Sequence, residues 1–155
     1  MRGKQAKVRK LKKDVKYKNT TFGRFISNIM LHGKKGLAEK MFYEVIENGA
    51  KEMETDPVEF VNKVIDNIRP ALEIKSRRVG GSNYQVPVPV TPQRQETLAV
   101  RWLVDISRKK TGDSFSEILK RDMIAAYKGE GDAIKKKQEV ERMAEANKAF
   151  AHFRW

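Results

Sequence analysis

The sequence lacks several features on which common classes of protein depend. It has no cysteine, which excludes a disulfide framework and cysteine-based metal sites. Its only histidines, His32 and His152, do not lie in a helical metal-binding motif with two histidines four residues apart. No segment approaches the roughly 18 apolar residues of a membrane helix, and the positive N-terminus lacks the apolar core of a secretory signal. We therefore expect a cytoplasmic protein with no bound metal.

The glycine-containing segments do not form a nucleotide-binding motif. Gly33-Lys34 resembles the end of a phosphate loop, but Asn28 stands where that loop has its first glycine, and Lys35 replaces its serine or threonine. Gly80-Gly81 and Gly129-Glu130-Gly131 lack the spacing of a dinucleotide-binding motif, and we interpret them as turns. The sequence therefore predicts neither an enzyme nor a cofactor-binding protein.

What the sequence has in excess is positive charge, and this charge is concentrated in two segments. Its 33 lysines and arginines outnumber 20 acidic residues, which gives a formal net charge of +13. Residues 1–18 carry +8 and residues 75–110 carry +6, whereas residues 19–74 (−2) and 111–155 (+1) are nearly neutral. Charge segregated in this way indicates a surface that faces a polyanion, most simply nucleic acid. The alternative is that a basic run is only a solvated tail.

Apolar residues recur at helical spacing in six segments, and capping residues, proline and glycine predict where these segments end. The predicted helices run from Asn19–Thr21 to Gly33, from Leu37 to about Thr55, from Asp56-Pro57 to Pro70, from Thr91-Pro92 to Thr111-Gly112, from Asp113 or Ser114 to Gly129, and from Asp132 toward Phe150–Trp155. Between the third and fourth helices, the sequence alternates on both sides of Gly80-Gly81-Ser82-Asn83, which predicts a β-hairpin.

The predicted fold is mainly α. It has a six-helix, bundle-like body in a single domain (residues 19–155), one projecting two-stranded β-hairpin (about 72–90) and a basic N-terminal arm (residues 1–18). Because Pro87 and Pro89 are tolerated only at a strand edge, we expect an isolated ribbon that gains its order from RNA. The arm has few apolar residues, and we expect it to be extended and disordered until it meets RNA.

The hairpin and the fourth helix supply candidate nucleic-acid contacts. Arg77 and Arg78 can clamp phosphate oxygens, and Tyr84 offers a ring for stacking on a base or ribose. Three arginines spaced by seven residues share one face of the fourth helix: Arg94, Arg101 and Arg108. The alternative for the hairpin is an exposed ribbon that charge keeps soluble.

Four blocks, which in order span almost the whole chain, carry a more specific signal. They are Asn28 and Met30 with Gly33-Lys34-Lys35, Glu73–Pro87, Leu98–Leu103, and Met143–Trp155. Together they resemble the family of small-subunit ribosomal protein seven, of the bacterial type. The resemblance implies a helical body with a projecting hairpin that binds the 3′ major domain of the small-subunit rRNA. It also implies a protein that starts assembly of the subunit head, lies near the exit tRNA site and the mRNA path, and in some bacteria represses its own operon.

The resemblance also implies which residues act and which partners they meet. Its predicted rRNA contacts are Lys34, Lys35, Lys75, Arg77, Arg78, Arg94 and Arg101. The residues it places near exit-site tRNA and mRNA are Gly80, Gly81, Ser82, Asn83, Tyr84 and Arg142. Charge alone adds further predicted rRNA contacts: Arg2, Lys4, Lys7, Arg9, Lys10, Lys12, Lys13, Arg108, Lys109 and Lys110. The expected partners are small-subunit rRNA, neighbouring small-subunit proteins, exit-site tRNA and mRNA, with no cofactor.

Two hypotheses that assign the protein to another functional class stay open at this point. A free-standing DNA-compacting or DNA-regulatory protein would also be small and basic. It would bind duplex DNA well, whereas a ribbon shaped for folded RNA should prefer an RNA junction to a DNA duplex of equal charge. An enzyme would need a convergent polar pocket, and the motifs in the sequence do not indicate one.

The arm hypothesis makes a direct prediction. Deleting residues 2–13 should leave the helical fold intact, because this segment supplies almost none of the apolar residues at helical spacing. RNA affinity should fall for all RNAs, since the lost cations contact phosphates regardless of sequence. Circular dichroism and RNA binding measure the two effects. Loss of most helical signal on deletion would show that the arm is structural instead.

Overall fold

The described part of the chain, residue 3 and residues 12–153 of this computed structural model, contains six α-helices and one β-hairpin, with only the backbone described at Phe153. The helices are α1 (Thr20–Ile29), α2 (Lys35–Glu52), α3 (Pro57–Ile68), α4 (Pro92–Lys109), α5 (Phe115–Tyr127) and α6 (Asp132–Ala146). The hairpin strands are β1 (Leu72–Val79) and β2 (Ser82–Pro89), and a 3-10 helix covers Lys148–Phe153. The predicted mainly α fold with one hairpin is confirmed.

Side-chain caps set where several helices begin. The side chains of Asn19 and Asp56 accept hydrogen bonds from backbone N–H groups two residues further on, at 2.8 and 2.9 Å. Of the two candidate caps for α5, Ser114 is the one that accepts a backbone N–H, at 3.3 Å. These oxygens satisfy N–H groups that have no partner inside the helix. The starts predicted from capping residues are therefore confirmed.

Aromatic packing joins the first two helices and forms the centre of the core. Phe22, Phe25 and Phe42 are completely buried. The rings of Phe25 and Phe42 stack with centroids 5.1 Å apart, and Phe22 meets Phe42 edge-on at 5.3 Å. Burying each such side chain contributes roughly 1.5–3 kcal/mol to folding. α3, α4, α5 and α6 complete the same cluster of buried residues.

Three helical details differ from the sequence prediction. α1 ends at Ile29 instead of Gly33, because the backbone leaves the helical conformation at Met30 (φ −61°, ψ 129°). Leu37, predicted to be inward, is 55% exposed at the start of α2. α6 stops at Ala146, where the Asn147 side chain donates back to the Met143 carbonyl at 2.8 Å, and Lys148–Phe153 form a 3-10 helix.

The hairpin is a two-stranded antiparallel sheet whose turn is formed by Gly80 and Gly81. Both turn residues have positive φ, which glycine adopts without steric cost. The strand register places Pro87 and Pro89 opposite Ile74 and Leu72, and the N–H of Val90, just beyond β2, donates to the carbonyl of Ala71 at 3.1 Å. This sheet has two strands, so both prolines lie on an edge strand, as their positions in the sequence predicted.

The strands of the hairpin have protein contacts that the sequence did not reveal. Val86 is fully buried and Pro87 is also buried. The ring of Tyr84 lies 5.3 Å from that of Phe150 in the 3-10 helix, and α6 packs against β1. The ribbon therefore gains part of its order from the protein itself, instead of from RNA alone.

Residues 14–18 are docked on the helical body, so the expectation of a fully extended and disordered arm is wrong for this part. Asp14 is only 5% exposed. Its carboxylate accepts hydrogen bonds from the N–H of Asn19 at 2.6 Å, the N–H of Tyr17 at 2.7 Å and the hydroxyl of Tyr43 at 3.2 Å. Lys16 forms an ion pair with Glu47 of α2. One buried carboxylate thus folds the chain back just before α1.

Replacing Asp14 with alanine would leave two backbone N–H groups without their acceptor. We expect Asp14→Ala to lower the free energy of unfolding by about 2 kcal/mol, measured by urea denaturation. Its neighbour Val15 is 77% exposed, and Val15→Ala should change stability by less than about 0.5 kcal/mol. Equal urea midpoints for the two variants would contradict a stabilising role for this docked segment.

Candidate nucleic-acid interface

One face of α4 carries the row of arginines predicted from their spacing. The opposite face is buried through Val100, Leu103 and Val104, so the helix cannot rotate without exposing its apolar side. Arg101, in the middle of the row, is exposed to solvent. The fixed apolar face thereby determines which way the cations point.

The two ends of this row are held by protein contacts. Arg94 donates from Nε and Nη2 to a carboxylate oxygen of Glu73, both at 3.2 Å. Arg108 donates from Nη2 to the carbonyls of Asn28 and Ile29, at 2.6 and 2.9 Å, where α1 ends. A cation at a helix C-terminus satisfies carbonyls that lack a partner inside the helix. Arg108 therefore fastens α4 to α1 in addition to carrying charge.

Glu73 joins the hairpin base to α4. Its second carboxylate oxygen lies 2.9 Å from the ammonium of Lys75 on β1. Burial by itself would raise the pKa of the Glu73 carboxyl, but hydrogen bonds from Lys75 and Arg94 outweigh it and hold that pKa below its ordinary value. The carboxylate is therefore ionised at neutral pH. It brings a hairpin cation and a helix cation into one positive surface.

The hairpin arginines lie on opposite faces of the ribbon, as the alternation predicted. Arg78 is exposed, and Arg77 is partly buried opposite Tyr84 in the register. The tip residues 80–83 are exposed and uncharged. Tyr84 is partly buried against Phe150, so one face of its ring is engaged within the protein.

Other predicted cations differ in how much they are engaged by the protein. Lys110 lies 2.6 Å from Asp122 and 2.9 Å from Asp132. Burial alone would lower its pKa, but these two carboxylates raise it, so Lys110 is a charged link between α5 and α6. Lys35 pairs with Glu39 at 3.3 Å. The remaining predicted cations among the described residues are also exposed: Lys12, Lys13, Lys34 and Lys109. Arg142 on α6 is exposed as well. The predicted contacts Arg2, Lys4, Lys7, Arg9 and Lys10 lie outside the described residues.

A buried cation that the sequence analysis missed connects α1 to the start of α4. Arg24 is 7% exposed and donates from Nη1 to the carbonyl of Gln93 and the hydroxyl of Thr97, both at 3.0 Å. It also forms an ion pair with Glu96 at 3.2 Å. The available signal was an arginine placed inside the apolar stripe of α1, between Phe22 and Phe25. Such a residue needs a buried partner.

Across residue 3 and residues 12–153, no cluster of three or more histidine, cysteine or acidic residues could hold a metal ion. Within the same residues, no helix is long and apolar enough to cross a membrane.

A helical body with a basic helix face and a basic ribbon is the arrangement of a protein that binds a polyanion such as nucleic acid. Residues 1–148 match the family model described as "Ribosomal protein S7p/S5e". Proteins named "Small ribosomal subunit protein uS7" are 44% identical in Thermosipho africanus, covering all of both chains, and 47% identical in Brachyspira hyodysenteriae, covering 99% of each. The relative of that name in Colwellia psychrerythraea is 48% identical, over 95% of this chain and 94% of its own.

The chain belongs to the ribosomal protein S7p/S5e family. It is a structural constituent of the small ribosomal subunit, located in the ribosome in the cytoplasm, and it is not an enzyme. The resemblance identified from the four sequence blocks is confirmed.

The hairpin cations give a testable consequence. We expect Arg77→Ala and Arg78→Ala each to weaken rRNA binding by about ten- to a hundredfold, and the double variant to bind more weakly still, because a well-made charged contact contributes roughly 1.5–3 kcal/mol. Filter binding or fluorescence anisotropy with small-subunit rRNA measures the change. The control removes two exposed cations of α2 instead, Lys40→Ala with Lys51→Ala. Equal losses for the two double variants would mean that net charge alone controls binding.

Proposed function

We propose that this protein binds the 3′ major domain of the small-subunit rRNA and holds its converging helices in place. The observation that carries the proposal is the bridge made by Glu73. By contacting Lys75 and Arg94 together, it unites the hairpin base and the α4 arginine row into one basic surface. Separate basic patches could each bind one phosphate backbone, whereas a continuous surface can fix the angle between two.

The mechanism is scaffolding, and no bond is made or broken. Cations at the surface neutralise phosphates that would otherwise repel each other where RNA helices meet. The buried aromatic cluster and the Arg24–Glu96 ion pair keep those cations at fixed separations. Rigid placement lowers the entropy lost on binding.

Finer roles follow from the family resemblance and belong to the same proposal. They are initiation of head assembly, a position near exit-site tRNA and mRNA for the hairpin tip, residues 80–84, and Arg142, and repression of the protein's own operon. Two features support a separate role for the tip. Residues 80–83 are exposed and uncharged, and the strands that carry them contact α6 and the 3-10 helix. The tip is therefore presented on a supported stalk without taking part in the charged contacts.

The alternative of a free-standing DNA-binding protein is tested by partner preference. Chemical footprinting on total small-subunit rRNA should protect nucleotides of the 3′ major domain. Affinity for that rRNA should exceed affinity for a DNA duplex of equal length and charge. Equal affinity for both, with scattered protection, would overturn the proposal.

Salt dependence tests the proposed phosphate contacts. The two basic segments can engage on the order of 6–10 phosphates, and each contact releases counterions. We therefore expect the logarithm of the rRNA association constant to fall steeply and linearly with the logarithm of salt concentration. Titrations at several potassium chloride concentrations measure the slope. A nearly flat line would contradict an interface made of phosphate contacts.

A further inference from the structure

Gly23 of α1 lies beneath residues 12–18, which form a strap across the first two helices. A methyl group in place of a Gly23 Cα hydrogen would collide with the carbonyl oxygen of Lys12 and would lie 3.6 Å from the backbone nitrogen of Asp14. The obstacle is main chain, so it can move only if the strap moves with it. Glycine permits such a close approach of two backbones. The lack of a side chain at position 23 is therefore what lets the strap lie this close to α1.

Two reciprocal hydrogen bonds close the strap onto the first turn of α1. The N–H of Asp14 donates to the carbonyl of Asn19 at 3.1 Å, and the N–H of Asn19 donates to the carboxylate of Asp14 at 2.6 Å. The same Asn19 carbonyl accepts the N–H of Gly23 at 3.3 Å. Lys18 completes the turn with a positive φ of 52°, a conformation that is uncommon for residues other than glycine. The strap and Gly23 thus share one acceptor, which ties the path of the strap to α1.

The other end of the strap is held by α2 and by the aromatic core. The Tyr17 ring meets Phe22 edge-on with centroids 5.2 Å apart, and the Tyr17 hydroxyl donates to Glu47 at 3.2 Å. The ammonium of Lys16 pairs with the same carboxylate and lies 5.5 Å from the ring centroid of Tyr43. Because this end is anchored, a displacement forced at Gly23 falls on the residues at the start of the strap.

The start of the strap carries two cations that are available to a ligand. Lys12 and Lys13 are exposed, and within the described part of the chain neither forms an ion pair with a carboxylate. Lys16, by contrast, is engaged with Glu47. Cations whose backbone is already ordered lose less entropy when they meet a phosphate than cations on a free chain do. The seat at Gly23 therefore bears on how well Lys12 and Lys13 can contact RNA.

We propose that Gly23 is a positioning residue for rRNA binding, which acts by holding the backbone of Lys12 and Lys13 in place. This inference rests on the proposed rRNA-binding function and adds to it a residue that has neither charge nor side chain. The simpler explanation, that glycine is merely tolerated at position 23, predicts the opposite effect of substitution. Alanine is a better helix former than glycine, so Gly23→Ala would then stabilise α1 and leave binding unchanged.

The first measurement asks whether the strap stays closed. It compares Gly23→Ala with Gly36→Ala, the same change at a helical position where the added methyl group would meet no atom of another segment within 4 Å. Hydrogen exchange at the Asp14 and Asn19 amides, followed by NMR on the folded full-length protein, reports on the closed strap. We expect exchange at both amides to quicken by about tenfold or more in Gly23→Ala and to stay unchanged in Gly36→Ala. Unchanged exchange in Gly23→Ala overturns the proposed seat.

A double-mutant cycle then separates positioning of the two lysines from a general loss of stability. We expect Gly23→Ala to lower rRNA affinity by about fivefold in the otherwise unsubstituted chain, and by less than about twofold when Lys12→Ala and Lys13→Ala are already present. A purely structural defect would lower the affinity equally in both backgrounds. Equal losses, or no loss in either background, overturn the positioning role.

Failure of the proposed function gives a different result. If the unsubstituted protein binds a DNA duplex as tightly as it binds rRNA, the proposed function is wrong and the positioning role fails with it. If the preference for rRNA is present but the cycle shows no coupling between Gly23 and the two lysines, only the positioning role fails.

Discussion

The burial of one face of α4 is the constraint on which the basic surface depends. Val100, Leu103 and Val104 are almost inaccessible to solvent, and α4 packs against α1, α3, α5 and α6. A rotation of this helix would expose apolar side chains at a cost of roughly 1.5–3 kcal/mol each. Arg24 fixes the start of α4 to α1, and Arg108 fixes its end. The orientation of the arginine row, and of the hairpin base joined to it through Glu73, follows from these contacts.

The positive charge of this protein serves two purposes that the composition does not separate. Some cations stabilise the fold: Arg24 is buried with Glu96, and Lys110 lies between two carboxylates of α5 and α6. Others, such as Arg78 and Arg101, are exposed and available to phosphates. Arg94 serves both purposes, because its contact with Glu73 orients its side chain without removing it from the surface. Acidic residues such as Glu73 and Glu96 therefore position some of these cations.

In the docked segment before α1, an acidic residue likewise positions its neighbours. Asp14 accepts two backbone N–H groups and the hydroxyl of Tyr43, which holds residues 14–18 against α1 and α2. Burial raises the pKa of the Tyr43 hydroxyl, so this donor is neutral over the physiological range.

The sequence alone determined the class of fold, because helical periodicity, capping residues and strand alternation are local signals carried by neighbouring residues. Asn19, Asp56 and Ser114 begin helices through bonds to residues two or three positions away, and Gly80-Gly81 forms its turn by itself. The segregation of positive charge along the sequence likewise indicated a polyanion partner. Only the tertiary structure decided which cations remain free, since the bonds of Arg24, Arg108 and Lys110 join residues 12 to 80 positions apart.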